Sequence, residues 1–188
     1  MLVKRTNHSY DLDKCLVEWE HIHSRLGKAL WKQAPGFWNQ TCLQHSNKFV
    51  NDPYSDGAVI SRKKRELTGA SNTDNIPVPS DFIILNEVYE DTVFADVIRD
   101  TRGERSRVMI KKMHTTYSVH IDKFPRYHLA LITNPNAYFI FPTLNEIVHI
   151  PDDGFVYEVD TTIPHSFVNC GEDRTHLVIS KGDHHVKI

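Results

Sequence analysis

The chain has 188 residues, 40% of them hydrophobic and 24% charged, which suits one globular domain with a substantial core. Its formal net charge of −2 gives no general attraction to nucleic acid or to an anionic membrane, so we expect neither partner. The N-terminal segment has no apolar core after its basic residues, and no apolar run reaches the length of a membrane span. We therefore expect no signal peptide and no membrane helix. Three widely separated cysteines indicate reduced thiols, so the expected location is cytoplasmic.

The first half of the chain has the pattern of helices and loops. Residues 11–31 place apolar side chains at helical spacing, and Asp11 or Asp13 is positioned to cap the start of that helix. Residues 51–81 are rich in Gly, Pro, Asn, Asp and Ser, which predicts loops. A second helix is predicted over about residues 87–100, ending before Gly103.

From Arg105 onwards the hydrophobic period changes to two, the period of β-strands. Short β-rich runs follow one another without an intervening helix, which predicts a mainly β sandwich or barrel of jelly-roll type. We expect a single domain over residues 1–188, with residues 1–105 as helical support on the outside and on the substrate side, and residues 106–180 as the catalytic core. The predicted strands are residues 106–113, 117–122, 126–133, 137–142, 146–151, 155–160, 165–170 and 174–180.

Three polar residues in these runs have the composition of a metal site. Residues i and i+2 of a strand project to the same face, so His120 and Asp122 can reach one point, and His165 offers a third ligand from a distant strand. Two histidines and one carboxylate form the facial triad of non-haem Fe(II), which leaves open positions for a co-substrate and O2. The competing interpretation is a set of partly exposed strand histidines with no metal.

An arginine at the start of the last predicted strand adds a second feature. Arg174 lies nine residues after His165 and opens an apolar run. A guanidinium on the inner face of a barrel can hold a carboxylate through two parallel hydrogen bonds. The sequence therefore places a candidate carboxylate clamp near the candidate metal ligands.

Two segments together resemble a known family. The segments "HIDKFPRYHLALITNP" and "FVYEVDTTIPHSFVNCGEDRTHLVIS" resemble the aspartyl/asparaginyl β-hydroxylase superfamily, in particular its bacterial proline-hydroxylase-like branch. The resemblance covers residues 106–180 and implies a double-stranded β-helix (jelly-roll or cupin-like) with N-terminal helices packed outside. It also implies Fe(II), 2-oxoglutarate as co-substrate and O2, with His120, Asp122 and His165 as the catalytic iron ligands.

The same resemblance assigns roles to residues around the metal. Arg174 matches the arginine that binds the distal carboxylate of 2-oxoglutarate. Arg126 and His128 match a pair that faces the co-substrate beside the metal, and His176 is on the same face as Arg174. Asn169 matches a side chain that orders a loop through hydrogen bonds.

These features predict a hydroxylase that acts on an amino acid as a small-molecule substrate, or on a residue of a peptide or protein, of the Pro, Asp or Asn class, with release of succinate and CO2. A cupin-like metal-binding or sensor protein without turnover is the alternative, but such a protein has no need of a carboxylate clamp. A zinc hydrolase is a third class, and the chain has no H-E-x-x-H motif to support it.

Overall fold

The structure is a computed structural model that describes residues 1–27, 40–48, 52–54, 57 and 78–182. Most of the predicted loop region 51–81, and the last part of the predicted helix at 28–31, lie outside these residues. No helix in the described ranges is long and apolar enough to cross a membrane. The α-helices are α1 (Leu12–Leu26) and α2 (Val93–Thr101), and the strands are β1 (Val3–Ser9), β2 (Gln40–Cys42), β3 (Gln44–His45), β4 (Ile84–Leu85), β5 (Gly103–Lys111), β6 (Thr115–Thr116), β7 (Arg126–Ile132), β8 (Ala137–Phe141), β9 (Glu146–Val148), β10 (Phe155–Val159), β11 (Ser166–Asn169) and β12 (Arg174–Lys181).

Two antiparallel sheets form the body of the molecule. A six-stranded sheet has the order β1-β10-β7-β12-β5-β2, and a four-stranded sheet has the order β6-β11-β8-β9. Between them lies an apolar cluster that includes Ala130 and Val159 from the large sheet and Phe139, Phe141 and Phe167 from the small one. The predicted double-stranded β-helix is confirmed.

The outer face of the large sheet is covered by the two helices, as the sequence predicted. Leu129, Leu177 and Ile179 on that face pack in one cluster with Trp19 of α1 and Phe94 of α2. The large sheet is therefore buried on both faces, one against helices and one against the small sheet. Side chains on its inner face lie inside the molecule, whatever their polarity.

Helix α1 begins where a polar side chain can cap it. The Asp11 carboxylate accepts a hydrogen bond from the backbone N–H of Lys14 at 3.1 Å, which confirms Asp11 as the cap. The helix ends at Leu26, and the next residue, Gly27, has φ +46°, a left-handed conformation that glycine adopts without steric cost.

The second predicted helix is shorter than expected. Residues Glu87–Tyr89 form a separate 3-10 turn, and α2 begins only at Val93. The break occurs because Asp91 has φ +60°, which an α-helix does not accommodate. The Glu18 carboxylate of α1 then accepts a hydrogen bond from the backbone N–H of Val93 at 2.7 Å, so the start of α2 is fixed by α1.

The prediction of a strand over residues 117–122 is wrong, although the other predicted runs contain strands. In this segment only His120 forms a β-bridge, and its partner is His165. Val119 and Ile121 are 55% and 61% exposed, so the apolar residues of the segment do not pack in the core. A continuous strand lacks the buried face that would hold it in register.

Two strands of the large sheet come from the first half of the chain. The edge strand β1 pairs with β10, and β2 pairs with β5 at the opposite edge. Neither was predicted from the sequence. The N-terminal region therefore contributes to the large sheet as well as supporting it with helices.

Candidate active site

Backbone hydrogen bonds bring the three candidate ligands together. The N–H and C=O groups of His120 and His165 exchange two hydrogen bonds, both at 2.9 Å. Two residues further on, the N–H of Asp122 donates to the carbonyl of Thr161 at 2.8 Å. The segment 120–122 is thus attached to the connection between β10 and β11, and that attachment replaces the regular strand expected there.

The three side chains meet at one point. One ligand atom from each of His120, Asp122 and His165 lies within 4.8 Å of the others. His165 is buried, and the Asp122 side chain is 18% exposed, so the cluster lies where the interior opens to solvent. Among the described residues, it is the only group of histidine, cysteine and carboxylate side chains this close together.

Both histidines are oriented for metal binding. The Nδ1 atom of His120 is 2.9 Å from the carbonyl oxygen of Ser118, and Nδ1 of His165 is 2.9 Å from that of Ile163. Because a carbonyl can only accept, each Nδ1 must carry the proton. In the neutral rings, each Nε2 therefore keeps a free lone pair, the arrangement common in histidines that bind metals.

Only one oxygen of the Asp122 carboxylate has a hydrogen-bond partner in the described chain. Its Oδ1 atom accepts from Nη2 of Arg126 at 2.5 Å, whereas Oδ2 is buried and has no hydrogen-bond partner within the described chain. The Nε2 atom of His165 lies 3.7 Å from Oδ2. A buried carboxylate oxygen without a donor is costly, and a cation bound between Asp122, His120 and His165 would satisfy it. The donor set fits a divalent metal of the non-haem iron type.

A second group of polar side chains surrounds Arg174. Arg174 is a cross-strand partner of Lys111, and both residues are at most 3% exposed. The Lys111 ammonium donates to the Tyr117 hydroxyl, and the Arg174 guanidinium lies 4.6 Å from the centre of the Phe167 ring. Two buried basic groups lie next to each other, with no carboxylate bonded to them in the described residues, and they form a candidate anion-binding site.

Asn169 holds the connections around that site. Its side-chain N–H group donates to the carbonyls of Lys111 and Glu172, both at 2.9 Å, and its Oδ1 accepts from Asn134 at 3.0 Å. These bonds join the end of β5 to the turn that precedes β12. Asn169 therefore orders this loop, as its sequence position suggested, and so positions Lys111 and Arg174.

The two remaining histidines on the inner face are buried and neutral. Burial, followed by repulsion from Arg174, holds the pKa of His128 and of His176 well below the usual value. Nη2 of Arg174 lies 2.6 Å from Nδ1 of His176, so His176 accepts that hydrogen bond. His128 has no partner at either ring nitrogen within the described residues, which leaves both nitrogens available to a ligand.

The cavity between the two sheets is lined by most of these groups, and Asp122, Asn169 and His176 are the exceptions. It brings together the predicted His120, His165, Arg126, His128 and Arg174 with residues that the sequence analysis did not select. Of these additional residues, Lys111 and Tyr117 are polar. Lys111 could have been found from the sequence, because it shares a period of two with Arg107 and Met109 and so lies on the same face of the strand. The lining residues are Met109, Lys111, Tyr117, His120, Arg126, His128, Phe139, His165, Phe167, Arg174 and Val178.

The electrostatic character of the cavity is positive. Burial, and then repulsion from Arg174, Arg107 and Arg126, lowers the pKa of Lys111 from 10.5 to about 7. Burial also lowers the pKa of Arg174 to about 9, which leaves it protonated at neutral pH. Cations held in a desolvated space attract an anionic ligand strongly because the alternative is an unpaired buried charge.

No protein-family model and no curated protein matches this chain. Among solved structures, AviO1 from Streptomyces viridochromogenes Tue57 is similar, with a TM-score of 0.52 and 12% identity over 99% of this chain and 91% of that one. This likeness shows a shared fold and nothing about activity.

Two weaker likenesses cover nearly the whole chain. A prolyl-4-hydroxylase from Pseudomonas putida has a TM-score of 0.45 and 12% identity, over 96% of this chain and 93% of that one. A 2OG-Fe(II) oxygenase family oxidoreductase from Burkholderia pseudomallei has a TM-score of 0.39 and 11% identity, over 96% and 94%. A partial match to CapF covers 42% of this chain and spans only 24% of CapF. At these TM-scores the similarity supports no argument about the present protein.

Proposed function

We propose that this protein is an Fe(II)- and 2-oxoglutarate-dependent dioxygenase that hydroxylates an amino acid or a peptidyl residue of the Pro, Asp or Asn class. One observation supports this most directly. The buried Oδ2 atom of Asp122 has no donor among the described residues, and it lies beside two imidazoles whose Nε2 lone pairs are free when the rings are neutral. This set offers a metal three ligands from one side.

The residues of the chain would share the work as follows. His120, Asp122 and His165 hold the metal, and Arg126 fixes the orientation of the Asp122 carboxylate through their 2.5 Å contact. Bound iron and 2-oxoglutarate supply the reduction of O2: one oxygen atom enters succinate as CO2 is released, and the other enters a C–H bond of the substrate as hydroxyl.

The co-substrate end of the cavity is proposed to lie at Arg174. Arg174 and Lys111 present two cations to one carboxylate, and Tyr117 adds a hydroxyl beside them. His128 and His176 are neutral neighbours that can donate or accept a hydrogen bond without adding charge. Phe139 and Phe167 line the same space and exclude water, which strengthens each electrostatic contact.

We further propose that residues 1–188 act as one domain, with residues 106–180 as the catalytic core, and that the protein works in the cytoplasm. Pairing of β1 with β10 and of β2 with β5 supports the single domain. The proposed relationship to the aspartyl/asparaginyl β-hydroxylase superfamily rests on the sequence resemblance over residues 106–180.

The test is succinate formation from 2-oxoglutarate with added Fe(II), first alone and then with free amino acids and short peptides. Products are examined for the mass of one added oxygen. His165→Ala should abolish succinate formation and weaken Mn(II) binding, measured by titration, because a buried ligand is lost. His21→Ala, which removes an exposed histidine of α1, is the matched control and should change neither.

Three results separate the competing functions. Succinate formed by the wild type but not by His165→Ala supports the dioxygenase. Tight metal binding without turnover of 2-oxoglutarate would favour the metal sensor. Unchanged turnover in His165→Ala would show that the proposed ligand set is wrong.

A further inference from the structure

Arg107 is a buried charged residue that the proposed mechanism leaves unused. It lies on β5 and is 3% exposed. Met109 and Lys111, which are two and four residues further along β5, line the cavity. Val178 on β12, the cross-strand partner of Arg107, lines it too. Because residues i, i+2 and i+4 of a strand share a face, and directly paired residues do too, the Arg107 side chain projects to the cavity side of the sheet.

The guanidinium of Arg107 is only partly hydrogen bonded. Its Nη1 atom donates to Oε1 of Gln40 at 3.2 Å. Nε and Nη2 are buried, and neither has a hydrogen-bond partner in the described chain. Burial and, after it, repulsion from Arg126 lower the pKa of Arg107 to about 10, so the group stays charged at neutral pH. A buried cation with two free donor nitrogens is a costly arrangement unless a ligand completes it.

The free donors define the shape of the missing partner. In a guanidinium, the N–H bonds of Nε and Nη2 point in parallel from one edge, and that edge matches the two oxygens of a carboxylate. Gln40 occupies the opposite end through Nη1 and so leaves this edge free. The chemistry of the site is therefore that of a carboxylate receptor.

The position of Arg107 separates it from the proposed co-substrate clamp. Lys111, the partner of Arg174, is four residues further along β5, which corresponds to about 13 Å along a strand. On the side of the candidate metal site, the charges that act on the Arg107 guanidinium include those of Arg126 and of the candidate metal ligand Asp122. A five-carbon acid held at Arg174 and at the metal leaves the edge of Arg107 to another ligand.

We propose that Arg107, oriented by Gln40, binds a carboxylate of the substrate. The substrate is then a carboxylic acid, and we assign it as an amino acid with a free α-carboxylate; a side-chain carboxylate within a peptide has the same chemistry and is separated by the experiment. This inference rests on the proposed dioxygenase function, because it takes the Arg174 end as the co-substrate site.

The experiment measures binding by the rise in melting temperature, in the presence of 2-oxoglutarate and Mn(II), which does not support turnover. The compounds are the twenty free L-amino acids, together with N-acetyl-aspartate α-amide and N-acetyl-glutamate α-amide as peptide-like acids. Each free amino acid that binds is compared with its own α-amide. We expect at least one free acid to bind, and its α-amide to bind about 100-fold more weakly, the loss typical of leaving a buried charge unpaired.

Two variants test the role of Arg107 itself. Arg107→Gln should weaken binding of that acid by about 100-fold and leave the affinity for 2-oxoglutarate unchanged. The matched control is Arg99→Gln, which makes the same substitution at an exposed arginine of α2 and should change neither affinity. Arg174→Gln should show the opposite pattern, with a loss of 2-oxoglutarate binding.

Gln40→Glu keeps the test valid if Arg107→Gln does not fold. The new carboxylate would lie beside Nη1 of Arg107, where Oε1 of Gln40 now accepts its hydrogen bond. It should raise the melting temperature of the ligand-free protein and weaken binding of the acid, because it competes for the same guanidinium. If Arg107 has only a structural role, the variant gains stability and binds the acid as well as the wild type does.

Several outcomes would overturn the inference. The inference fails if a free amino acid and its α-amide bind equally well, or if none of the carboxylate compounds binds. It also fails if the peptide-like acids bind more tightly than every free amino acid, or if Arg107→Gln loses affinity for 2-oxoglutarate instead of affinity for the acid. Succinate formation is measured in parallel. If the wild type forms none, the dioxygenase proposal fails, whereas the melting temperatures still decide whether Arg107 binds a carboxylate.

Discussion

Replacing Lys111 with Met is expected to stabilise the ligand-free protein, by an amount that depends on pH. Lys111 is 2% exposed, and it bonds to the hydroxyl of Tyr117 but to no carboxylate in the described chain. Burial, with repulsion from neighbouring arginines, lowers its pKa from 10.5 to about 7. The folded state therefore binds a proton at Lys111 less readily than the unfolded state does.

The magnitude follows from the two pKa values. Between pH 7 and pH 10.5 the unfolded chain holds more protons at Lys111 than the folded chain, so the free energy of unfolding rises with pH over that window. The cost of Lys111 is greatest below pH 7, where it is about 5 kcal/mol for a pKa difference of about 3.5. At pH 9 about 2 kcal/mol of this cost remains.

The assay is urea unfolding of wild type and Lys111→Met at pH 6 and pH 9, with a chelator present and no 2-oxoglutarate. The variant should be more stable at both pH values, and its advantage should be about 3 kcal/mol larger at pH 6. Lys112→Met is the control, because the side chain of the adjacent Lys112 is 69% exposed and pairs with Asp173 at the surface. Such a pair contributes about 1 kcal/mol or less.

Two results would refute this reasoning. An equal gain at pH 6 and pH 9 would mean that the charge of Lys111 is not the source of the cost, and a loss of stability would mean that its contacts outweigh the desolvation. The same variant should bind 2-oxoglutarate more weakly, because Lys111 is proposed to face its carboxylate. A stabilised variant with weaker binding would show that the fold tolerates this cation for the sake of a ligand.

The other predictions concern single contacts around the metal and the co-substrate. Arg174→Ala should raise the dissociation constant of 2-oxoglutarate by about 100-fold, roughly 3 kcal/mol, and Arg174→Lys should recover only part of the loss because a single ammonium cannot form two parallel hydrogen bonds. Mn(II) affinity should not change, and unchanged 2-oxoglutarate binding would place the clamp elsewhere. Arg126→Ala should lower Mn(II) affinity by about 10-fold or more, since Arg126 fixes the Asp122 carboxylate. A loss of 2-oxoglutarate binding in Arg126→Ala would show the co-substrate role that the sequence motif suggests, and unchanged affinity for both would leave the residue without either function.

The β-rich half of the fold was predictable because its signal is local. Runs such as residues 126–132 and 174–181 combine β-branched or aromatic residues with turn residues at both ends, and these became β7 and β12. The candidate ligands were also predictable, since His120 and Asp122 are two residues apart and the chemistry of a facial triad pointed to His165 in a distant segment. How they meet was not predictable, because an isolated bridge between His120 and His165 replaces the expected strand.

The strands at the sheet edges could not be predicted in the same way. The segment of β1, "VKRTNHS", is mostly polar, because an edge strand buries little of its surface. Its partner β10 lies about 150 residues away in sequence, and such long-range pairing leaves no local pattern. Tertiary contacts, rather than propensity, decide the structure of this segment.

The charged residues of β5 show a different limit of sequence analysis. The alternation of side chains along a strand indicates that Arg107 and Lys111 lie on one face and Val108 on the other, but it does not indicate which face is exposed to solvent. Val108 packs against the helices, and the opposite face is covered by the second sheet. Basic residues that a single sheet would present to water are therefore buried: Lys111 lines the cavity, and Arg107 is 3% exposed on the same face.

That arrangement has a consequence for the number of ligands. Four basic groups, Arg107, Lys111, Arg126 and Arg174, are close enough to lower the pKa values of Arg107 and Lys111. Asp122 is the only carboxylate paired with any of them in the described chain. A divalent metal bound at Asp122 would add still more positive charge. A single dianion cannot balance such a site, because its carboxylates would be used at the metal and at Arg174. The charge therefore favours a second acid near Arg107. A neutral peptide segment would leave Nε and Nη2 of Arg107 without a partner among the described residues, a cost that the single contact with Gln40 does not offset.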